Sequence, residues 1–135
     1  MAQFADIDYA SRVASLRQRL PLGNGCDAVL LLDLVDLRWL TGFTGSNGWA
    51  VLRADDLVLG TDGRYRDRAA AETAASGATV VAETDRAKLH ERLVDALRSA
   101  TRVALDPGTT AYARWTSLDS DVSLEPTDSL VRVQR

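Results

Sequence analysis

Three glycines at regular intervals constrain this chain more than any other feature. Gly42, Gly45 and Gly48 recur every third residue in the run RWLTGFTGSNG, residues 38–48. A helix would lose about 1 kcal/mol at each glycine relative to alanine, and the interval does not suit a regular strand either. The spacing therefore predicts a tight loop with some backbone positions at positive φ. Apolar runs on both sides of residues 54–56 then indicate a β-hairpin.

A second turn motif closes this hairpin. The predicted strands cover residues 49–53 and 57–61, and the second runs directly into TDGRY, residues 61–65. An Asp-Gly pair favours a turn, so the cation and the phenol after it stand where a strand meets a helix. Because one motif precedes the hairpin and the other follows it, we expect both to meet at one edge of a sheet. Loops held by rigid elements often carry binding groups.

The rest of the chain alternates between helical and strand patterns. Apolar spacing and turn residues predict helices over residues 8–20, 64–76, 89–97 and 110–118, a helical turn over 34–40, and strands over 28–32, 79–82, 102–106 and 124–126. Residues 128–135 resemble the start of another helix. This order predicts an α/β protein whose mixed β-sheet, partly antiparallel and partly parallel, is flanked by helices.

Together, the two motifs resemble a known family. RWLTGFTGSNG followed by TDGRY is similar to the amino-terminal domain of the aminopeptidase P, prolidase and creatinase family, and most of all to its Xaa-Pro aminopeptidase branch. Trp39 stands where that family more often has tyrosine. The resemblance implies a creatinase N-terminal-like fold of ribonuclease-H-like topology. It also implies a domain over residues 1–127, with residues 128–135 as the start of a linker to a catalytic domain outside this sequence.

The resemblance also implies a function. It indicates a non-catalytic domain of a Xaa-Pro aminopeptidase-like metallopeptidase, which shapes the substrate cleft and supports homo-oligomer contacts. The implied partners are the parent's C-terminal catalytic domain and, through the parent, a peptide substrate. That catalytic domain would hold dinuclear manganese or another divalent metal, so this fragment alone is expected to be inactive. Two alternatives stay open: a stand-alone peptide- or protein-binding module without catalysis, and the amino-terminal domain of a prolidase or creatinase.

The residues themselves offer no catalytic or metal-binding set. His90 is the single histidine and lies beside an apolar helical stripe, so it is interpreted as a boundary residue without ligand partners. Ser46 misses the G-x-S-x-G spacing of a nucleophile elbow, and the glycines do not follow the G-x-G-x-x-G of a dinucleotide loop. We therefore predict no catalytic residue, metal ligand or cofactor in this chain, and interpret the glycines as sites of close packing.

Arg64 and Phe43 are the candidate substrate-binding residues. The Arg64 guanidinium is permanently charged and offers five donors in a rigid fork, which suits a peptide carboxylate or carbonyl. In the resembling family the matching arginine lies near the substrate pocket. The alternative is an ion pair with Asp62 or Asp67. Phe43 has no obvious core to join, so we expect it to line the same cleft or to pack against the catalytic domain, whereas Tyr65 belongs to the core or its rim.

Composition excludes several other classes of protein. The 135 residues are 46% hydrophobic and 26% charged, which is typical of one globular domain. A net charge of -3 with dispersed cations argues against a nucleic-acid partner. Cys26, the only cysteine, is interpreted as a buried small hydrophobe. The acidic amino terminus excludes a secretory signal and no apolar run approaches the roughly 20 residues of a membrane helix, so we expect no membrane partner and a cytoplasmic location.

Overall fold

The computed structural model describes residues 7–134 of the chain. Residues 1–6, in the acidic amino terminus, and Arg135, at the end of the predicted linker, lie outside this part. The helices are α1 (Tyr9–Arg17), α2 (Leu34–Thr41), α3 (Arg66–Thr73), α4 (Arg86–Leu97), α5 (Tyr112–Asp119) and α6 (Leu130–Gln134). The strands are β1 (Ala28–Leu31), β2 (Gly48–Arg53), β3 (Leu57–Asp62), β4 (Thr79–Glu83), β5 (Val103–Leu105) and β6 (Leu124–Pro126).

The strands form one mixed sheet in the order β4-β3-β2-β1-β5-β6. Strand β2 is antiparallel to its neighbours β1 and β3, whereas the pairs β1–β5, β3–β4 and β5–β6 are parallel. Within the hairpin, Gly48 is opposite Thr61 and Leu52 is opposite Leu57. The predicted hairpin and the predicted mixed sheet flanked by helices are both confirmed.

Helices cover both faces of the sheet. Helices α1, α2, α3 and α6 pack on one face, and α4 and α5 pack on the other. Strand β1 shows how the sequence encodes this arrangement, because all four of its residues are buried. Val29 and Leu31 join the first layer, and Ala28 and Leu30 join the second, as side chains alternate along a strand. A continuous apolar run is typical of a strand covered on both sides, as predicted.

Local hydrogen bonds shift several helix ends from their predicted positions. Helix α1 ends at Arg17, since the Leu20 N–H donates to the Arg17 carbonyl at 3.1 Å and tightens the last turn. The helix predicted over residues 64–76 is α3 with a 3₁₀ turn at each end, Gly63–Tyr65 and Ala74–Ser76. Gly77 caps it at a φ of 77°, as predicted.

Side-chain hydrogen bonds shape the chain just before each of the last two helices. Helix α5 begins at Tyr112 without a side-chain cap of its own, after a 3₁₀ turn that Asp106 caps by accepting the Gly108 N–H at 2.8 Å. Helix α6 begins at Leu130, where Ser129 Oγ accepts the Arg132 N–H at 3.1 Å. The helix predicted near the end of the chain is confirmed, and the predicted boundary at residue 127 stays a prediction. No helix within residues 7–134 has the length and apolar character to cross a membrane.

Candidate functional site

The two sequence motifs meet at one edge of the sheet. Here the word edge means the border formed by the strand ends, not an outer strand. The carboxyl ends of β1, β3, β4, β5 and β6 lie at this edge, beside the start of β2. In open α/β sheets this is the edge where ligands bind. The glycine loop enters β2 here, and TDGRY leaves β3 here. Thr61 Oγ1 donates to the Asn47 carbonyl at 2.6 Å, so the predicted meeting of the motifs is confirmed.

Helix α3 holds the glycine loop through one carboxylate. Glu72 accepts the Thr44 N–H at 3.0 Å through Oε1 and the Thr44 hydroxyl at 2.6 Å through Oε2. Arg68, one turn earlier on α3, lies with Nε 3.5 Å from Glu72 Oε1 and also donates to Thr44. Both oxygens of the carboxylate are therefore used to fix the loop, which gives this part of the edge a defined shape.

The Tyr65 side chain connects the second motif to the same loop. Its Oη lies 2.9 Å from Ser46 Oγ, and its ring meets Phe43 edge-on with centroids 6.0 Å apart. The guanidinium carbons of Arg64 and Arg68 lie 5.4 and 5.5 Å from the ring centroid, within cation–π range. The Ser46 hydrogen bond, opposed by desolvation and aided by both arginines, lowers the pKa of the phenol. The prediction that Tyr65 lies at the rim of the core is confirmed.

Arg64 extends from this edge into solvent. Its side chain is 70% exposed, and its Nε lies 3.2 Å from Asp62 Oδ1. The ion pair considered from the sequence is thus present with Asp62, whose Oδ1 also accepts the Arg64 backbone N–H at 2.9 Å. Exposed pairs of this kind contribute little stability. Within the described part of the chain neither Nη nitrogen of Arg64 donates a hydrogen bond, and its substrate-binding role stays a prediction.

Phe43 is buried, so the expectation that it has no core to join is wrong. Its side chain is 1% exposed and belongs to the core layer of α1, α2 and α3. Gly45 makes this possible, since a Cβ at that position would lie 2.2 Å from Phe43 Cζ. The interpretation of the glycines as sites of close packing is therefore confirmed at Gly45. It is also confirmed at Gly42, where a Cβ would lie 2.7 Å from the Glu72 carbonyl oxygen, and Gly42 ends α2 at a φ of 88°.

Phe43 also forms part of an open groove, which we call the α2 groove. Its lining residues come from the first turns of α2 and from the glycine loop, and they are Leu34, Val35, Arg38, Phe43, Thr44, Gly45 and Ser46. Leu34 is 39% exposed and Val35 is 57% exposed, so two adjacent large apolar side chains face solvent beside the groove. The sequence predicted a helical turn here but gave no indication of which residues would face solvent. A role for Phe43 in lining a substrate cleft stays a prediction.

The described residues do not assemble the dinuclear metal site that the resemblance implies for the parent. Within residues 7–134 no group of three or more His, Cys, Asp or Glu side chains converges. His90 Nε2 lies 4.0 Å from Asp121 Oδ2, and its side chain is 42% exposed, so the boundary prediction is confirmed. A two-metal site needs bridging carboxylates. Cys26 is fully buried, as predicted.

The fold and this edge define an α/β domain. At the edge, the glycine loop is held by Glu72 and Tyr65, an arrangement that we call the braced loop, and Arg64 is exposed beside it. The sequence matches the Creatinase/Prolidase N-terminal domain family over residues 12–135, and the chain belongs to this family. The expected family is thus confirmed by a match to almost the whole chain.

Solved structures share the fold. The N-terminal domain of the cytoplasmic peptidase PepQ from Mycobacterium tuberculosis is 27% identical with a TM-score of 0.75, over 93% of this chain and 99% of that chain. A Xaa-Pro dipeptidase from Bacillus anthracis has a TM-score of 0.84 at 19% identity, over 94% of this chain and 36% of that chain. At that identity the second likeness shows the fold alone.

Curated relatives match shorter segments. The probable Xaa-Pro aminopeptidase P of Pyrenophora tritici-repentis is 38% identical over 66 residues, which are 48% of this chain and 9% of that protein. The uncharacterized peptidase YqhT of Bacillus subtilis is 42% identical over 45 residues, which are 33% of this chain and 13% of that protein. The matched segments therefore span a small part of both relatives.

We expect Glu72→Gln to lower the free energy of unfolding by about 1 kcal/mol near neutral pH, because the carboxylate accepts two hydrogen bonds from Thr44 and pairs with Arg68. Desolvation raises the pKa of Glu72, but the Thr44 hydrogen bonds and the Arg68 charge outweigh it, so the pKa lies below its ordinary 4.5. Stability from a depressed carboxyl pKa is present above the unfolded-state value and is lost as pH falls through the folded-state value.

Urea unfolding of both proteins across this acid range measures the effect. The difference between Glu72→Gln and the unmodified chain should shrink as the pH falls below about 4. Glu91→Gln removes an exposed carboxylate from α4 and should change stability by less than about 0.5 kcal/mol. If the stability lost in Glu72→Gln is independent of pH, or equals that lost in Glu91→Gln, the Glu72 carboxylate does not hold the glycine loop as described.

Proposed function

We propose that this chain is the non-catalytic N-terminal domain of a Xaa-Pro aminopeptidase-like metallopeptidase, where it forms one wall of the substrate cleft. The family match and the fold support the coarser statement, that it is an N-terminal domain of the kind found in prolidase- and aminopeptidase P-like enzymes. The observation that carries the finer proposal is the braced edge of the sheet, at which Arg64 remains exposed beside a fixed loop.

The brace supports this role because a cleft wall must hold its shape. Thr44 is fixed by Glu72, Ser46 by Tyr65, and the ring of Phe43 fills the space beneath them. Arg64 then stands at the end of a rigid turn with both Nη nitrogens available to an acceptor. Peptide carbonyl and carboxylate oxygens are such acceptors, and charge-assisted hydrogen bonds to them are among the strongest.

We propose that the exposed apolar turn of α2 is where the parent's catalytic domain docks. Helix α6 packs beside α2: Ser129 Oγ donates to the buried Asp36 carboxylate at 2.8 Å, and Leu130 and Val131 are buried. A domain that follows α6 is therefore tethered close to the α2 groove and its exposed Leu34 and Val35. Adjacent exposed apolar residues are typical of an interaction surface.

The remaining parts of the proposal concern the parent protein. Its catalytic domain would carry the dinuclear metal, manganese or another divalent ion, and would cleave peptides with proline in second position. The domain described here would also contribute contacts to a homo-oligomer, and the parent would act in the cytoplasm. These statements rest on the family, and none of them needs a catalytic group from residues 7–134.

We expect Arg64→Ala to lower kcat/KM of the parent enzyme about 10- to 100-fold on a Xaa-Pro peptide assayed with manganese. The estimate corresponds to losing a charged hydrogen bond of about 1.5–3 kcal/mol. Arg98→Ala is the matched control, because Arg98 is also an exposed arginine, 74% by side chain, paired with the nearby Asp95. Unchanged activity in Arg64→Ala would remove the role of Arg64, and turnover by the isolated domain would contradict the non-catalytic assignment.

Two other functions keep specific support. The PepQ relative was solved as an N-terminal domain and matches over 99% of its chain, which favours a domain that folds by itself and could serve as a stand-alone binding module. The Xaa-Pro dipeptidase of Bacillus anthracis shares the fold, which agrees with a prolidase as the parent. Comparing the parent's rates on Xaa-Pro dipeptides and on longer Xaa-Pro peptides separates a prolidase from an aminopeptidase.

A further inference from the structure

A second groove lies between α4 and α5, on the other face of the sheet; we call it the α4–α5 groove. Its apolar lining consists of Trp49 from β2, Leu89 from α4 and Leu118 from α5. The volume of the groove is about 310 Å³. None of the residues assigned to substrate binding above lines it, so its chemistry is a separate question.

Positive charge in this groove is not balanced. Arg86 and Arg114 line it, and no aspartate or glutamate does among the described residues. Neither arginine forms a salt bridge or a side-chain hydrogen bond within the described part of the chain. Arg114 is exposed at the groove, and desolvation by the surrounding protein lowers its pKa. His90 also lines the groove, with Asp121 4.0 Å away.

Trp49 supplies a second, independent observation. Its side chain is 2% exposed, and the indole Nε1–H has no hydrogen-bond acceptor among residues 7–134. A buried donor without an acceptor destabilises the folded chain, so such groups are normally satisfied. The ring cannot retreat into the sheet, because it lies against Gly60, where a Cβ would be 2.2 Å from Trp49 Cε2. An acceptor brought by a ligand would relieve this cost.

A ligand that matches this lining has an anionic hydrogen-bond acceptor attached to an apolar group. Two guanidinium groups, the Ser117 hydroxyl and the Asn47 amide provide donors beside an apolar floor. A phosphate is less suited, because it would use the N-terminus of α4. That terminus is already capped by Asp85, whose Oδ1 accepts the Ala87 N–H at 2.8 Å and so occupies the position that a phosphate would take.

We propose that the α4–α5 groove binds a carboxylate carried by a peptide segment. The carboxylate pairs with Arg86 and Arg114, an oxygen of the same peptide segment accepts the Trp49 indole N–H, and the attached apolar side chain packs against Leu89 and Leu118. The carboxylate comes from a free peptide C-terminus or from an aspartate or glutamate side chain, and the two sources share one chemistry. This inference is independent of the role of Arg64 and of the parent's activity.

The experiment is a titration of the ¹⁵N-labelled chain followed at the Trp49 indole N–H resonance. The first probe is the tripeptide Ala-Pro-Leu with a free C-terminal carboxylate. The second is the same tripeptide as its C-terminal amide, and the third is acetylated, amidated Ala-Glu-Leu. Inorganic phosphate is the fourth. We expect saturable shifts with the first or the third probe, and no shift with the C-terminal amide of Ala-Pro-Leu, which carries no carboxylate.

Charge variants then test which arginines carry the binding. Arg114→Gln and Arg86→Gln should each weaken carboxylate binding about tenfold, because each removes a charge-assisted hydrogen bond to the carboxylate. Arg19→Gln is the matched control, because Arg19 is exposed and lies just after α1, outside the groove, and it should change binding less than about twofold. All three residues are exposed, so the variants should fold.

Each outcome decides the proposal. A response to the free-carboxylate peptide alone assigns a chain terminus, and a response to the Glu peptide assigns an acidic side chain. Equal shifts with the amide, no saturable shift with any peptide, or a stronger response to phosphate than to either carboxylate would overturn it. An Arg19→Gln effect as large as that of Arg114→Gln would reduce the binding to general charge attraction and would also overturn it.

Discussion

Phe43→Ala is expected to lower the free energy of unfolding by about 3–5 kcal/mol, the largest loss that we predict for a single substitution. The ring is 1% exposed, and it packs with the first core layer beneath the glycine loop. Removing it leaves a cavity that Gly45 cannot fill, because glycine has no side chain. Tyr65 loses its edge-on contact in the same step. Chemical denaturation of the purified chain at 25 °C measures the change.

Two control substitutions show whether this loss comes from burial. Phe43→Leu keeps most of the volume and should cost about 1.5 kcal/mol or less. Tyr112→Ala removes an aromatic ring that is 81% exposed and should change stability by less than about 0.5 kcal/mol. A Phe43→Ala loss similar to that of Tyr112→Ala would contradict the packing of the loop on the core.

The burial of Phe43 changes how its predicted substrate role should be tested. Because the ring supports the loop that carries Thr44 and Ser46, a strongly destabilising variant would alter the cleft wall indirectly. Phe43→Leu is the informative variant, since it retains most of the support and removes the aromatic ring. Effects of Arg64 on activity are free of this difficulty, because its side chain is 70% exposed.

Much of the fold could be predicted from local patterns. The apolar run that forms β1 predicts a strand covered on both faces, and the paired runs around residues 54–56 predict the hairpin. These features are local because each depends on side-chain alternation or on turn residues close in sequence. Helix ends were less predictable. Residues 64–76 have one helical composition, but the Asp62 side chain caps the Arg64 N–H and begins the segment with a 3₁₀ turn.

The candidate site was only partly predictable, because its contacts join distant residues. The family motifs gave the glycine loop and Arg64, and the hairpin predicted that they would meet. The role of Glu72 has no sequence signal, although Glu72 binds Thr44 twice, since a glutamate in an alanine-rich helix has no local pattern that marks a partner 28 residues away. Phe43 was misjudged for a related reason: its core consists of side chains from other elements.

The α4–α5 groove was beyond sequence analysis altogether. Arg86 and Arg114 belong to different helices and converge only when both helices cover the same face of the sheet. The spacing of the two arginines in the sequence does not predict that they converge. That no carboxylate lines the groove beside them is likewise a property of the fold. Trp49 was assigned only to an apolar strand, and its unpaired indole N–H is visible only after the strand is packed.

Gly60→Ala is expected to lower the free energy of unfolding by about 3 kcal/mol, at the upper end for added volume in a core. Gly60 is opposite Trp49 in the hairpin, and a Cβ there would lie 2.2 Å from Trp49 Cε2 and Cζ2. The indole is 2% exposed and packs with the second core layer, so the added methyl group must displace it from its place against the hairpin. Urea unfolding measures the loss, and the tryptophan emission of the folded variant reports any movement of the ring.

Gly23→Ala is the matched control for this substitution. No atom lies within 4 Å of the position that its Cβ would occupy, and its backbone is not at positive φ. Its stability should therefore stay within about 0.5 kcal/mol or rise slightly, as the unfolded chain loses freedom. If Gly60→Ala behaved like Gly23→Ala, the indole could not lie against Gly60. The floor of the α4–α5 groove would then differ, and the carboxylate proposal would lose the Trp49 donor on which it partly rests.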